Sequence, residues 1–477
     1  MNNIMFLARL LVLFSLVCIS CAHSSFEQKQ LKHALDFATS NRLELEILLQ
    51  HYTYDSLKLE AAKFLIRNMP HCYSYQQGGE MDSVMRVRTY YSPFGQIDQT
   101  YARRWGHYTY RNLPKIYDAH IITAEYLIDN IDRAFDNWQK RPWNRSLSFE
   151  DFCEYLLPYR IGDEPLEEWR ELYEKKYGYL LDSIYKGSDV VEAANLVSRH
   201  LQEPVFIYCE DFELPHIGPR YLFSHRYGSC VDAADIVTYA FRAVGIPCME
   251  DTDARGGHVW NVVRDTTGRD VPIWYIASEA VRGSRDTGGY KRGKVYRPMY
   301  GFQEEKAAHL GDDWKSMPLL FYHPYMKDVS YAYYPDTLRI LTGIPDDEVC
   351  YLAHFHEAHW WSCACARSAS GKMEIPNLES ELVYLPMKYT KGNYYPSGFP
   401  FWFAGGEINT FLPDWEKTVK VRLYRKYPVY GWLRSFMSHV VGGTFEGSMT
   451  KDFEDGKRLY EIADTPVIAR NRIFLNK

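Results

Sequence analysis

From about residue 27 to 200 the apolar positions recur at helical spacing, and from about 327 onward they alternate with polar ones, so the chain passes from a helical to a β pattern. Asn41 followed by Glu44, ahead of an apolar run, has the form of a capping box and predicts a helix start. Leu57, Ala61, Phe64 and Leu65 continue at helical spacing until Pro70 closes the segment. Ser148 with Asp151 opens a further helix that Pro158 stops, and Pro165 has the first-turn position of the next. Between 201 and 300 the pattern is mixed. Residues 232–246 (DAADIVTYAFRAVGI) predict a helix, and 257–263 (GHVWNVV) and 271–277 (VPIWYIA) predict strands joined by a hairpin turn over Asp265 to Gly268, pairing 264 with 269. Further strands are predicted at 329–334, 338–341, 349–355, 360–366, 381–386 and 418–427. The fold class is α+β: a leader at 1–20, a helical region at 21–200, a mixed core at 201–310, a β-sandwich at 320–435 and a partial β module at 436–477.

A chain of 477 residues, 46% hydrophobic and 24% charged, has the composition of a multi-domain globular protein. Its net charge of −6 supplies no global positive field, so nucleic acid is not an expected partner. Aromatic residues reach 16% and bring two dense stretches into view, Tyr90 to Tyr110 and Tyr394 to Phe403. Each suits either a wall for a sugar or peptide, or ordinary packing at strand and loop ends. No Gly-rich phosphate loop is present.

Residues 1–20 hold one Arg, no acid and an apolar run from Leu10 to Ile19, the form of a signal peptide. Cys21 follows a small residue and resembles the lipobox of bacterial lipoproteins, which implies a diacylated N-terminus and an envelope protein anchored to the outer membrane by lipid. Cys18 departs from that pattern, and cleavage after Ala22 is the alternative, leaving a soluble secreted protein. No later segment has about 18 uninterrupted apolar residues, so the expected membrane contact is through the lipid alone. Eight further cysteines are sparse and irregular, unlike a disulfide scaffold, and their pairing is open.

The strongest chemical constellation is Cys230, after a Gly-Ser turn at a predicted helix start, with His258 on an extended segment 28 residues later. Helix N-terminal N–H groups favour thiolate over thiol, an imidazole accepts and returns the proton, and the backbone N–H of Cys230 can donate to an oxyanion. With Gly245-Ile246-Pro247 after the helix and His258-Val259-Trp260 on a strand, this string resembles the transglutaminase-like branch of the papain-type cysteine enzymes. Residues 59–75, 152–170, 291–297 and 441–453 resemble transglutaminase-domain lipoproteins of the Bacteroidetes. The resemblance implies a papain/transglutaminase-like core, Cys230 as nucleophile, His258 as base and acid, and a carboxylate on the following strand that orients the imidazole. The usual register of that carboxylate falls on Ile273, Trp274 and Tyr275; Glu279 is the first candidate and Asp270 the second, with a Cys-His dyad or a decayed enzyme as the remaining options. Asn261 and Asp232 are assigned structural roles.

His354, His356, His359, Cys363 and Cys365 lie within twelve positions, but His-x-His and Cys-x-Cys are what a period-2 strand produces, so no metal is expected there. No organic cofactor is expected either. The expected function is cleavage or transfer of a peptide or isopeptide amide through a Cys-His thioacyl mechanism, on a peptide, glycopeptide or protein substrate. The alternative is a non-catalytic surface lipoprotein that binds glycans or peptides through aromatic β modules.

Overall fold

The computed structural model describes residues 25–94, 109–209, 214–255, 257–274, 276, 278–284, 291–303, 317–341, 345–356, 359–414, 416, 441–450 and 455–462. The expected signal peptide, Cys21, the strand predicted at 418–427 and most of the Tyr90–Tyr110 stretch lie outside them. Helix and strand are both abundant, as the α+β class requires. The chain divides into two compact units. The first comprises residues up to 290 with 295–309 and 323–332; the second comprises 291–294, 310–322 and 333 onward. The boundary expected near residue 200 separates no units: the helical region and the mixed core fold together.

In the first unit the helices are α1 (25–37), α2 (Arg42–His51), α3 (Ser56–Asn68), α4 (Glu80–Tyr91), α5 (Ala124–Lys140), α6 (Phe149–Tyr155), α7 (Arg170–Tyr179), α8 (Val190–Leu201), α9 (Pro219–Ser224) and α10 (Cys230–Ala243). Three strand groups accompany them: β1 (Tyr73–Tyr75) with β2 (Lys115–Tyr117), β3 (Ile207–Tyr208) with β4 (Tyr227–Gly228), and β5 (Cys248–Asp253), β6 (Val259–Arg264), β7 (Asp270–Ile273), β8 (Val295–Pro298) and β9 (Met326–Asp328). The last group is an antiparallel sheet in the order β7-β6-β5-β8-β9.

Two apolar clusters hold this unit. One gathers Leu45, Leu48, Leu65, Leu127, Ile131 and Phe152 from α2, α3, α5 and α6. The other gathers Tyr173, Val197, Ile236, Phe241, Val263 and Ile273 from α7, α8, α10, β6 and β7. Helix α10 is buried at every position except Val231, the pattern of a helix enclosed on all sides. Its last carbonyls are taken by α5 and the turn after it: Asn137 Nδ2 donates to Ala243 O at 3.1 Å, Arg141 Nε to Val244 O at 2.8 Å and Trp143 Nε1 to Gly245 O at 2.9 Å. Gly245, at φ +81°, leaves room for this, since a Cβ there would stand 2.8 Å from Asn137 O.

Two expected helix starts take another form. Asn41 and Glu44 do not cap α2. Asn41 Nδ2 donates to Ala119 O (3.1 Å) and Ile122 O (2.8 Å), while Glu44 accepts from Ala124 N at 2.7 Å, so the pair secures the start of α5 instead. The helix expected from Pro165 begins only at Arg170, because the Glu164 carboxylate binds back to the N–H groups of Ile161 and Gly162. Ser148 does cap α6 through Asp151 N.

The second unit holds a six-stranded antiparallel sheet of β11 (Val349–His356), β12 (His359–Arg367), β14 (Leu382–Thr390), β15 (Asn393–Pro396), β16 (Phe401–Ala404) and β17 (Glu407–Thr410), and a ladder of β10 (Asp336–Leu341) with β13 (Lys372–Leu378). A short ladder of β18 (Thr444–Gly447) with β19 (Lys457–Glu461) follows. The strand predicted at 329–334 is replaced by a single 3-10 turn over Ser330–Ala332.

Candidate functional site

The local sequence around Cys230 explains how α10 starts. Gly228 has φ +149°, and a Cβ there would lie 2.3 Å from Asp232 Oδ2 and 2.5 Å from Arg88 Nη2, so only glycine clears the two. Ser229 is the N-cap of a capping box closed by Asp232, whose Oδ2 accepts from Ser229 N at 2.8 Å. Arg88, buried on α4, holds the same oxygen at 2.9 Å, with the rings of Tyr221 and Tyr227 each 5.7 Å from its guanidinium. Asp232 is therefore a structural carboxylate, as assigned from sequence.

The Cys230 side chain stands in the first turn of this helix and fronts a cavity of about 830 Å³ within the first unit. Burial raises its thiol above the ordinary cysteine range; the backbone N–H groups of Val259, Val231 and Cys230 itself act in the opposite direction. Asn261, also assigned a structural role, holds strand to helix by donating to Ala234 O at 3.0 Å and Thr238 Oγ1 at 2.9 Å. Helix and strand thus run side by side, with Cys230 beside Val259 and Ala234 beside Asn261.

His258 immediately precedes β6, and its carbonyl continues the ladder by accepting from Asp253 N at 3.3 Å. Alternation sends the side chains of Val259 and Asn261 toward α10 and those of His258, Trp260 and Val262 to the other face. The His258 ring lies 4.4 Å from the Trp274 ring, edge to face, and 5.6 Å from Trp260. Among the described residues no hydrogen bond joins His258 to Cys230; from that strand it is the backbone N–H of Val259 that favours the thiolate.

The register of the hairpin differs from expectation. Arg264 pairs with Asp270, not residue 269, because the loop has three residues, Thr266 to Gly268, with Gly268 at φ +75°. The extra residue reverses face parity on β7. Asp270 shares the face of His258 but sits at the far end of the strand, where it accepts from Tyr155 Oη at 3.0 Å and Arg297 Nη1 at 2.8 Å. Glu279 loses the matching parity; it lies past the Trp274–Ser278 bridge and pairs with Arg199 of α8 at 2.5 Å on the surface. Neither carboxylate is brought to His258 by these contacts.

A second imidazole, unmarked by any motif, fronts the same cavity. His216 Nδ1 meets both oxygens of Asp235 on α10, at 2.9 and 3.0 Å, and its backbone N–H donates to Asp163 at 2.9 Å. Asp235 is completely buried, whereas the His216 side chain is 25% exposed. Burial disfavours the charged imidazole, but the Asp235 carboxylate outweighs it and holds His216 protonated well above the ordinary histidine range. Glu250 of β5 also lines the cavity, accepts from Thr238 Oγ1 at 2.6 Å, and is pushed up to about 8 by burial and then by Asp235. The readable signal for the first was a carboxylate inside an apolar run, Asp235 within AADIV; Glu250, followed by Asp251, Thr252 and Asp253, carries no such signal.

In the second unit, His356 pairs with His359 and Cys365 with Tyr351 across the β11–β12 hairpin, so the imidazole and thiol spacing is that of strands. Among the described residues no group of three or more His, Cys, Asp and Glu is placed to hold a metal ion. Trp402 pairs with Val383 and Phe355 with Trp360 on one face of the six-stranded sheet, where Phe355 is 52% and Trp402 36% exposed. Of the Tyr394–Phe403 stretch, Tyr394 instead packs within the unit, its ring tilted against Tyr389 at 4.8 Å. No helix among the described residues is long and apolar enough to cross a membrane. Compared with models of known families, with curated proteins and with solved structures, the chain finds no match in any of the three.

Proposed function

We propose that this protein is an exported, lipid-anchored cysteine enzyme of transglutaminase-like type that cleaves or transfers a peptide or isopeptide amide, with Cys230 as nucleophile. The reading includes a papain-like core over 201–310 and a β-sandwich in the second unit. One observation carries it: the Cys230 sulfur stands at the N-terminus of a buried helix, against backbone N–H groups of two elements, at the edge of a cavity large enough for a peptide segment. In this reaction Sγ bonds to the carbonyl carbon while His258 takes the thiol proton, the tetrahedral adduct expels the amine as its C–N bond breaks, and the thioacyl intermediate that remains is resolved by water or an amine. The scheme requires His258, which packs on Trp274 on the face of β6 away from α10, to be carried round the start of the strand ahead of Val259. No metal or organic cofactor enters the scheme.

The test is alkylation with iodoacetamide at mild pH, read residue by residue by mass spectrometry. Labelling of Cys230 ahead of Cys365, the more exposed thiol, supports the enzyme; a Cys230 that stays inert in the folded chain removes the nucleophile. The exposed row of Phe355 and Trp402 favours a second reading, a surface protein that binds glycans or peptides. Retained ligand binding with no turnover by wild type or Cys230→Ala supports that alternative.

A further inference from the structure

We propose that His216, held by Asp235, is the general acid of the Cys230 cleft: it protonates the departing amine and then takes a proton from the water that resolves the thioacyl intermediate. This deepens the reading just given and rests on it. Three observations converge. His216 and Cys230 front one cavity. The imidazole is oriented by a fully buried carboxylate on the same helix that carries the nucleophile, with both Asp235 oxygens within 3.0 Å of Nδ1. The opposite ring edge lies over Gly162, where a Cβ would stand 2.4 Å from Nε2 and 2.3 Å from Cδ2, so the ring has its place only because residue 162 has no side chain.

A carboxylate on Nδ1 fixes the ring and leaves Nε2 as the proton-transfer atom. The titratable groups around the ring are Asp235 on α10, Asp163 and Glu164 with Arg160 on the 160–164 segment, and Glu250 on β5, which burial keeps protonated. Acids outnumber the one guanidinium, and the ring enters the reaction protonated. The two imidazoles then divide the work, since one site holds its proton while the other is needed without one.

The protons balance. As Sγ bonds to the carbonyl carbon its proton passes to His258; as the C–N bond breaks, His216 Nε2 gives its proton to the amine nitrogen. Water then adds to the thioacyl carbon and gives a proton to His216. The S–C bond breaks, and Sγ recovers the proton held by His258, so both rings and the thiol return to their starting states.

The experiment uses p-nitrophenyl acetate with the full chain. Its leaving group needs no acid, so acylation appears as a burst of p-nitrophenolate, whereas steady turnover requires the water step. In wild type a burst that Cys230→Ala abolishes establishes the nucleophile. His216→Gln should keep the burst and lower steady turnover by about a hundredfold or more. Gly162→Ala, which displaces the ring without removing any titratable group, should keep the burst and lower turnover in the same direction; it carries the test should His216→Gln fail to fold. Steady turnover equal to wild type in the folded variants overturns the proposal, as does loss of the burst itself. A wild type with no burst, or one that survives Cys230→Ala, removes the nucleophile and the acid falls with it. A normal Cys230 burst with unchanged turnover in the variants overturns the acid alone.

Discussion

Arg88 and Asp232 meet at 2.9 Å behind the first turn of α10, both buried, and the same carboxylate oxygen closes the capping box with Ser229. One oxygen therefore secures the helix start and neutralises a guanidinium brought from 144 residues earlier in the chain. Removing one partner of a buried pair strands the other charge. Arg88→Leu should destabilise the first unit by about 3–5 kcal/mol in urea unfolding. The double variant Arg88→Leu with Asp232→Asn should recover part of that loss, and a double variant no better than the single one would show that the stranded charge is not the cause.

Two glycines at positive φ offer a contrast. Gly228→Ala puts a Cβ against Asp232 and Arg88, whereas Gly268→Ala meets open space in the hairpin loop. Backbone strain alone costs about 1–3 kcal/mol at each. Gly228→Ala should exceed that range because it also breaks the cap and the ion pair, and its Cys230 alkylation should change. Gly268→Ala should stay within it, with labelling unaltered. Thermal unfolding and mass-spectrometric labelling of the two variants decide this.

The buried acid on β5 sets a pH dependence. Glu250 holds its proton in the folded chain up to about 8, while the unfolded chain releases it in the ordinary carboxylate range. Between those limits the folded state binds more protons, so stability is greatest below the unfolded value and declines as pH rises toward the folded one. The protonated His216 acts in the same sense, its contribution present below the ordinary histidine range and lost as pH climbs through its raised value. Urea unfolding from pH 5 to 8 should show a falling free energy. Glu250→Gln should flatten part of that slope and be the more stable chain at pH 8; an unchanged slope would contradict the assignment.

Asp270 and Glu279, the two carboxylates considered for orienting His258, should respond very differently. Asp270 lies within a buried network with Arg297, Arg264 and Tyr155, whereas Glu279 forms an exposed pair with Arg199. Asp270→Asn should cost several kcal/mol, in the range of a broken buried pair at about 3–5 kcal/mol. Glu279→Gln should cost less than about 1 kcal/mol and leave the rate of Cys230 alkylation as it was. A marked loss of Cys230 reactivity in Glu279→Gln alone would restore it to a role beside His258.

Local chemistry that lies within a few residues was readable. The Gly-Ser-Cys start of α10, the Ser148 cap, and most strands of the second unit follow from turn residues and period-2 alternation. The hairpin turn was recognised too, yet its length was not: Asp265 to Gly268 accommodates two loop residues or three, and the choice depends on Gly268 taking the left-handed conformation. That single residue reversed the parity from which Glu279 had been ranked above Asp270. Asn41 and Glu44 have the spacing of a cap but spend their side chains on α5, a partner some 80 residues away. His216 and Asp235 stand nineteen positions apart with no motif between them, so only the folded chain could join them.

The parallel pairing of β3 with β4 has a consequence for how the protein can diversify. Ile207 N donates to Arg226 O at 2.8 Å and Cys209 N to Gly228 O at 2.9 Å, so both ends of the segment that carries His216 are fastened beside the start of α10. Replacements inside that fastened segment can alter what approaches the thiol without moving the thiol. The proposed acid and the proposed nucleophile thus share one anchor, and a change in β3 or β4 should shift both together.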